Sequence, residues 1–238
     1  MIACEKYTFE NIEYGITTRE NGADFTLRHL GDSFEKPSMP RSESWRELIK
    51  TLGFARVAMR KQVHGSDIEW IGAEASYNGN VADALITDTP GVLLAVTVAD
   101  CCGVVLWSEQ KPVVACIHSG WRGTQVNIVA KVVHELNEKG AVPPLTLHAW
   151  LSPCASGRSY VVRNDVRALF PKFCTQIGED QFLFDNSAAI REQLIQAGVS
   201  GNNVETSPQC TIESDRYHSF RRDGIHSGRN AVFVGIRS

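Results

Sequence analysis

The sequence predicts an α+β fold with mixed sheets, and three features of its pattern carry that prediction. Two runs, "VLLAVTVA" (92–99) and "PVVACIH" (112–118), are almost continuously apolar, as strands covered on both faces are. The stretch "SEQKP" (108–112) between "GVVLW" and "PVVACIH" is short enough for a hairpin, which argues for partly antiparallel pairing rather than a doubly wound sheet. Three further segments carry apolar residues at helical spacing.

Taken in order, the first helix follows Ser42: Trp45, Leu48, Ile49 and Leu52 recur on one face, and Gly53 ends it. The second follows Thr124, where Val126, Val129, Ala130, Val133 and Leu136 form a stripe closed by Gly140. The third follows Asp185 and is closed by Gly198. Between them, "ARVAMRKQV", "VLLAVTVA", "GVVLW", "PVVACIH", "LTLHAWLS" and "NAVFVGI" read as strands. The polar, Pro- and Gly-punctuated segment 19–41 reads as loop with some local strand. No repeat or long linker interrupts the chain, so 1–238 reads as one domain.

Composition narrows the function classes. The chain has 238 residues, 43% of them hydrophobic, and a net charge of −3, which gives no basic face for nucleic acid. Its opening residues lack the basic and then apolar regions of a signal peptide, and no apolar run nears the roughly 18 residues of a spanning helix. Seven cysteines at irregular spacing fit no small disulfide framework. A cytoplasmic protein with reduced thiols and no membrane partner is the expectation.

Four stretches carry candidate chemistry. In "KQVHGSD", His64 falls where a β-like run meets Gly65; in "VADCCG", Asp100 and Cys101 fall at another strand end. In "CIHSGWRGT", a strand runs into His118, glycines 120 and 123 free the backbone, and Arg122 stands beside the next helix, a strand–turn–helix junction suited to an anion. In "YHSFRRDGIHSGRNA", Arg221, Arg222 and Arg229 form a basic cluster with Tyr217 and Phe220, suited to a small anion such as phosphate. Pairing with surface carboxylates is a sizeable alternative for Arg221.

Two histidines and a cysteine at strand-to-turn junctions permit two chemistries. They are three nitrogen and sulfur ligands for zinc with a fourth position open, although spacings of 37 and 17 residues match no zinc finger. They also permit a Cys101 nucleophile with His118 as its base and Asp100 or His64 as orienting partner. Residue types alone do not separate the two. If the strand continues through "CC", Cys101 and Cys102 point to opposite faces, with Cys101 on the side of the site.

The stretches "KQVHG", "ADALITDTPGVLLAVTVADC", "HSGWRGT" and "FRRDGIHSGRNAVFVGI", in this order, resemble the YfiH-like family. Its members are called laccase-domain proteins, multicopper polyphenol oxidases or purine nucleoside phosphorylases. The resemblance implies a single mixed-sheet α/β sandwich similar to the catalytic domain of cytotoxic necrotizing factor toxins. It implies a metal site, usually zinc, on His64, Cys101 and His118, which are then also the catalytic residues. The implied activities are phosphorolysis of adenosine, inosine and methylthioadenosine, deamination of adenosine, and a link to peptidoglycan editing. The chain departs from the family pattern at Gly103 (usually Pro), Ser119 (usually Ala), Ser152 (usually Gly) and Val161 (usually Glu).

On this reading the partners are a nucleoside and phosphate, with a monomer favoured. Gln62, Arg122 and Arg229 bind substrate, and Asp83 and Asp223 contribute. Copper chemistry ranks lower, because a multicopper oxidase needs several histidine-rich sites and this chain has only seven histidines. A metal-free Cys-His hydrolase or deamidase, and a zinc site that only holds the fold, are the remaining alternatives.

Overall fold

A computed structural model of the chain describes residues 2–26, 43–74 and 79–238. In chain order the elements are β1 (Cys4–Phe9), β2 (Ile12–Thr17), α1 (Glu43–Leu52), β3 (Arg56–Ala58), β4 (Ile68–Trp70), β5 (Ala84–Thr87) and β6 (Val92–Val98). There follow β7 (Cys102–Ser108), β8 (Val114–Ser119), α2 (Trp121–Gln125), α3 (Ile128–Glu138), β9 (Leu147–Leu151), β10 (Val161–Val162) and α4 (Asn164–Leu169). The last are β11 (Cys174–Gly178), β12 (Gln181–Phe184), α5 (Asn186–Gln196), β13 (Val204–Thr206), α6 (Phe220–Asp223) and β14 (Asn230–Ile236).

The strands form a five-stranded sheet in the order β1-β2-β14-β6-β3 and a six-stranded sheet in the order β13-β9-β7-β8-β5-β4. Both are mixed: β3 runs parallel to β6 and β4 to β5, while β7 and β8 are the antiparallel hairpin that "SEQKP" predicts. The two sheets face each other across a core fed from both, with Leu94, Val96 and Val232 on one side and Val105, Val114 and Cys116 on the other. Helices α3 and α5 cover the outer face of the six-stranded sheet, and α1 covers that of the five-stranded sheet. This layering explains the continuous apolar runs, since every residue of β7, β8 and β14 is buried. A small sheet, β10-β12-β11, packs with α4 around Phe170 and Phe184 and presents Tyr160 at its edge.

Helix α1 buries the predicted Trp45, Leu48, Ile49 and Leu52; fully burying each such side chain is worth about 1.5–3 kcal/mol. Its expected cap, Ser42, and residues 27–41 of the expected loop lie outside the described residues. Helix α5 is capped as predicted, Asp185 accepting the Ala188 N–H at 2.9 Å. The second predicted helix needs correction. It is two helices, α2 and α3, separated by Asn127 in the left-handed region (φ 57°). That break rotates the stripe, which becomes Ile128, Val129, Val132, Val133 and Leu136, and leaves Val126 41% exposed.

Two departures from the family pattern meet in a reciprocal pair of hydrogen bonds. The Gly103 N–H donates to the buried Ser152 Oγ at 3.0 Å, and the Ser152 N–H donates back to the Gly103 carbonyl at 2.9 Å. A proline at 103 would have no N–H to satisfy, so glycine and serine complement each other here. Gly103 is also sterically fixed, because a Cβ there would stand 2.6 Å from Val232. Val161 is partly exposed on β10, and it is not among the residues that line the cleft described below.

Candidate metal centre and substrate cleft

Cys101 and Cys102 divide as the alternation of a strand predicts. Cys102 opens β7 and is fully buried in the core under α3 and α5. Cys101 belongs to the bend 99–101 that carries the chain from β6 in one sheet to β7 in the other, and it packs toward the inter-sheet side. Asp100 in that bend has φ 82°, a conformation that costs a non-glycine residue energy and needs surrounding bonds to hold it. Those bonds are present. Its carbonyl accepts the Ala155 N–H at 3.0 Å, and its carboxylate accepts the Thr211 hydroxyl at 2.7 Å and the Arg221 N–H at 2.6 Å.

His64 does not stand at a strand end as the sequence suggests. β3 stops at Ala58, and His64 lies in a loop with φ 59°. The loop hangs on the fully buried carboxylate of Asp83, which accepts the N–H groups of Val63, His64 and Gly65 at 3.1, 3.0 and 2.8 Å. The same carboxylate is 2.8 Å from Nδ1 of His118, at the end of β8, and its backbone carbonyl accepts the His118 N–H at 2.7 Å. Asp83, not Asp100, is therefore the orienting carboxylate. With Nδ1 donating to Asp83, Nε2 of His118 is the ring nitrogen turned to the site, and it becomes a ligand by giving up the proton it carries in metal-free protein.

These anchors bring His64, Cys101 and His118 together, with one ligand atom from each lying within 4.8 Å of the others. Cys101 Sγ is 3.9 Å from His64 Nε2, and the two imidazoles meet edge to face with centroids 4.7 Å apart. Among the described residues this is the one His/Cys/Asp/Glu cluster with metal-ligand geometry. Two imidazoles and a thiolate, one imidazole backed by a buried carboxylate, suit zinc and leave a position open toward the cleft.

Electrostatics favour the charged thiolate. Burial works to raise the Cys101 thiol, but the adjacent His118 and His64 outweigh it and bring it down to about 6. Burial likewise works against a charged His118, and the thiolate together with Asp83 lifts it to about 9. In metal-free protein, iodoacetamide should therefore modify Cys101 with a rate that rises through pH 6 and levels by pH 8, because the thiolate is the reactive form. A midpoint near 9 in site-resolved mass spectrometry would contradict this electrostatic balance.

Gly120 explains itself at the same point. A Cβ there would lie 2.7 Å from Cys101 Sγ and 3.3 Å from His64 Cδ2. Gly120→Ala should displace Cys101 Sγ and weaken metal binding about tenfold or more in a competitive chelator titration.

The trio sits in a cleft of about 700 Å³, within the range of small-molecule sites. Arg122, Arg221 and Arg229 line it, each over an aromatic ring: Trp121 at 4.2 Å, Tyr160 at 5.0 Å and Phe220 at 5.9 Å. Gln62 also lines the cleft, but its amide is largely engaged: it donates to the Thr97 carbonyl at 2.8 Å and accepts the Thr97 N–H at 2.8 Å. Asp223 is not a lining residue, and its carboxylate binds Arg222 and Arg19. The predicted basic cluster divides: Arg222 turns inward to the Thr211, Ser214 and Tyr217 carbonyls, and Tyr217 is fully buried. Among the described residues neither Arg221 nor Arg122 ion-pairs with a carboxylate, which removes the salt-bridge alternative for Arg221.

Comparison with known proteins gives the family and the fold. Residues 13–237 match the family model described as multi-copper polyphenol oxidoreductase laccase. The chain is 33% identical to a protein of Deinococcus radiodurans named purine nucleoside phosphorylase, over 94% of this chain and 89% of that one. It is 32% identical to a Corynebacterium glutamicum protein of the same name, over 92% of each. The crystal structure of YlmD from Geobacillus stearothermophilus superposes with a TM-score of 0.84 at 26% identity, covering 97% of this chain and 93% of that one. The Neisseria meningitidis protein NMB0706 superposes at 0.81 with 29% identity, over 99% of each chain. With an α+β mixed-sheet fold shared with these structures and a family match over nearly its whole length, the chain belongs to the YfiH-like, multi-copper polyphenol oxidoreductase laccase family, in which its curated relatives are named purine nucleoside phosphorylases.

Proposed function

We propose that this chain is a zinc-dependent purine nucleoside phosphorylase that takes adenosine, inosine and methylthioadenosine with phosphate, and that also deaminates adenosine. The observation that carries the reading is the placement of the His64, Cys101 and His118 cluster and three arginines on one cleft. In phosphorolysis, a phosphate oxygen forms the bond to the ribose C1′ as the bond from C1′ to the purine nitrogen breaks, giving ribose 1-phosphate and free base. Arg122 and Arg229 supply positive charge where phosphate must be held close to the sugar, and the aromatic rings under them give the purine flat apolar surface.

His64, Cys101 and His118 would hold the zinc, which supplies a Lewis acid when bound. Asp83 keeps the proton of His118 on Nδ1, so that Nε2 remains a ligand through the reaction. All seven cysteines are free, which supports a reducing, cytoplasmic setting, and no described helix is long and apolar enough to cross a membrane. A multicopper oxidase would need several copper sites, and the single cluster among the described residues supports the phosphorylase reading instead.

Purified zinc-loaded protein incubated with adenosine, with and without phosphate, should release adenine only when phosphate is present. Inosine marks the deaminase activity. Neither product above blank would sink the reading, and stoichiometric copper in protein made without added copper would favour the oxidase.

A further inference from the structure

Arg221 stands apart from the other two cleft arginines in how it is held. Arg122 is exposed on the short helix α2 and lies on the ring of its neighbour Trp121. Arg229 directs Nη1 to the carbonyls of Ser227 and Gly228, at 3.0 and 2.9 Å. The guanidinium of Arg221 rests on Tyr160, 5.0 Å from the ring centroid, with no carboxylate partner among the described residues. Contact with the Tyr160 ring and its hydroxyl engages part of the guanidinium, and five N–H donors are more than one phenol can take, so donors remain for an anion.

The anchor of Arg221 leads directly to the metal ligands. Its backbone N–H donates to Asp100 Oδ2 at 2.6 Å, and Asp100 directly precedes Cys101 in the bend between the sheets. The other carboxylate oxygen of Asp100 holds Thr211. One strained residue thus links the bend that carries Cys101 to the backbone of Arg221. Other arginines of the chain, such as Arg158 and Arg163, are neutralised by Glu213 and Asp180. An unpaired guanidinium beside the ligand cluster is charge kept for a ligand.

We propose that Arg221 joins Arg122 and Arg229 in holding phosphate in the cleft and contributes the main grip through its guanidinium N–H donors, its backbone being anchored by Asp100 beside Cys101. The assignment extends the phosphorylase reading and rests on it for its role in turnover, but not for the binding itself. Inorganic phosphate titrated calorimetrically into zinc-loaded protein is the direct test. Arg221→Gln should weaken phosphate binding about tenfold or more, the loss of one charge-assisted pair. Arg221→Lys should recover only part of it, because an ammonium lacks the guanidinium's fork of donors. Zinc content should stay at the wild-type level in both. In turnover, the KM for phosphate should rise while the KM for the nucleoside stays within about twofold, a split that general loosening of the cleft would not produce.

Phosphate affinity of Arg221→Gln within twofold of wild type would overturn the assignment, as would wild-type protein that binds no phosphate. Wild-type protein that binds phosphate through Arg221 yet releases no adenine would support the site and overturn the phosphorylase reading.

Discussion

Asp83→Asn should lower the melting temperature by about 10 °C and weaken zinc binding about 10–100-fold, although Asp83 is not itself a metal ligand. Each oxygen of this buried carboxylate serves two donors. Oδ1 takes the His64 N–H and His118 Nδ1, while Oδ2 takes the Val63 and Gly65 N–H groups. An asparagine can keep only one of these oxygens. If its amide nitrogen faces Val63 and Gly65, two backbone donors lose their acceptor and face another donor. If it faces His118, the ring must accept at Nδ1 and carry its proton on Nε2, the atom the metal needs. Breaking a buried pair in this way costs roughly 3–5 kcal/mol, which in a chain of this size corresponds to about 2–4 °C per kcal/mol.

The same substitution tests the pH behaviour. Burial pushes the Asp83 carboxyl up, but His118 and the backbone donors more than offset it, and its pKa lies below the ordinary value. A group depressed in the folded state contributes stability above its unfolded pKa and loses it as pH falls through the folded one. Wild-type protein should therefore lose this contribution only below about pH 4, and Asp83→Asn should lack it at neutral pH already. Matched melting curves of the two proteins at neutral pH would refute the role assigned to the carboxylate.

The layers were largely legible because burial on both faces writes itself into composition. β6, β7, β8 and β14 are apolar over most of their length, with the polar exceptions mainly at strand ends, as strands buried on both faces require. β1 was not legible, since an edge strand with three exposed residues carries no such signal, and the small β10-β12-β11 sheet has strands too short to show a period. Trp107 and Val114 pair across the β7–β8 hairpin where "SEQKP" places them. Residue types at turns propose the ligand trio and the family resemblance sharpens it, but the sequence places Asp83 only among the substrate contributors and not as the organiser of the site. Asp83 acts through backbone N–H groups 18 to 20 residues away and a ring 35 residues away, and no local pattern encodes that. Its one available signal was a carboxylate inside the apolar stretch "VADALIT", where a charge must have buried partners. Arg221 and Arg222 are likewise adjacent in sequence but opposite in fate, because the turn at α6 sends one into the cleft and the other onto backbone carbonyls.

The adjacent cysteines give the sharpest contrast of all. Cys101→Ala should abolish stoichiometric zinc and the activity that depends on it, with little loss of fold; Cys102→Ala should do the reverse. In the proposed zinc site, removing one of the three ligands costs more than the 10–100-fold that follows from disturbing a ligand's partner, so zinc affinity should fall by more than about 100-fold. Cys101 is only partly buried and lies at the margin of the inter-sheet core, so little packing is lost with it. Cys102 is fully enclosed between β7 and the α3 and α5 layer, where even a small deletion leaves a void. By comparison with Ile→Val exchanges, Cys102→Ala should cost about 1 kcal/mol, or about 2–4 °C of melting temperature, with zinc retained. Zinc analysis and thermal melting on the same two preparations separate the roles. Equal zinc loss in both would mean that the thiols do not divide between the two faces, and the assignment of Cys101 as the ligand would fall with that register.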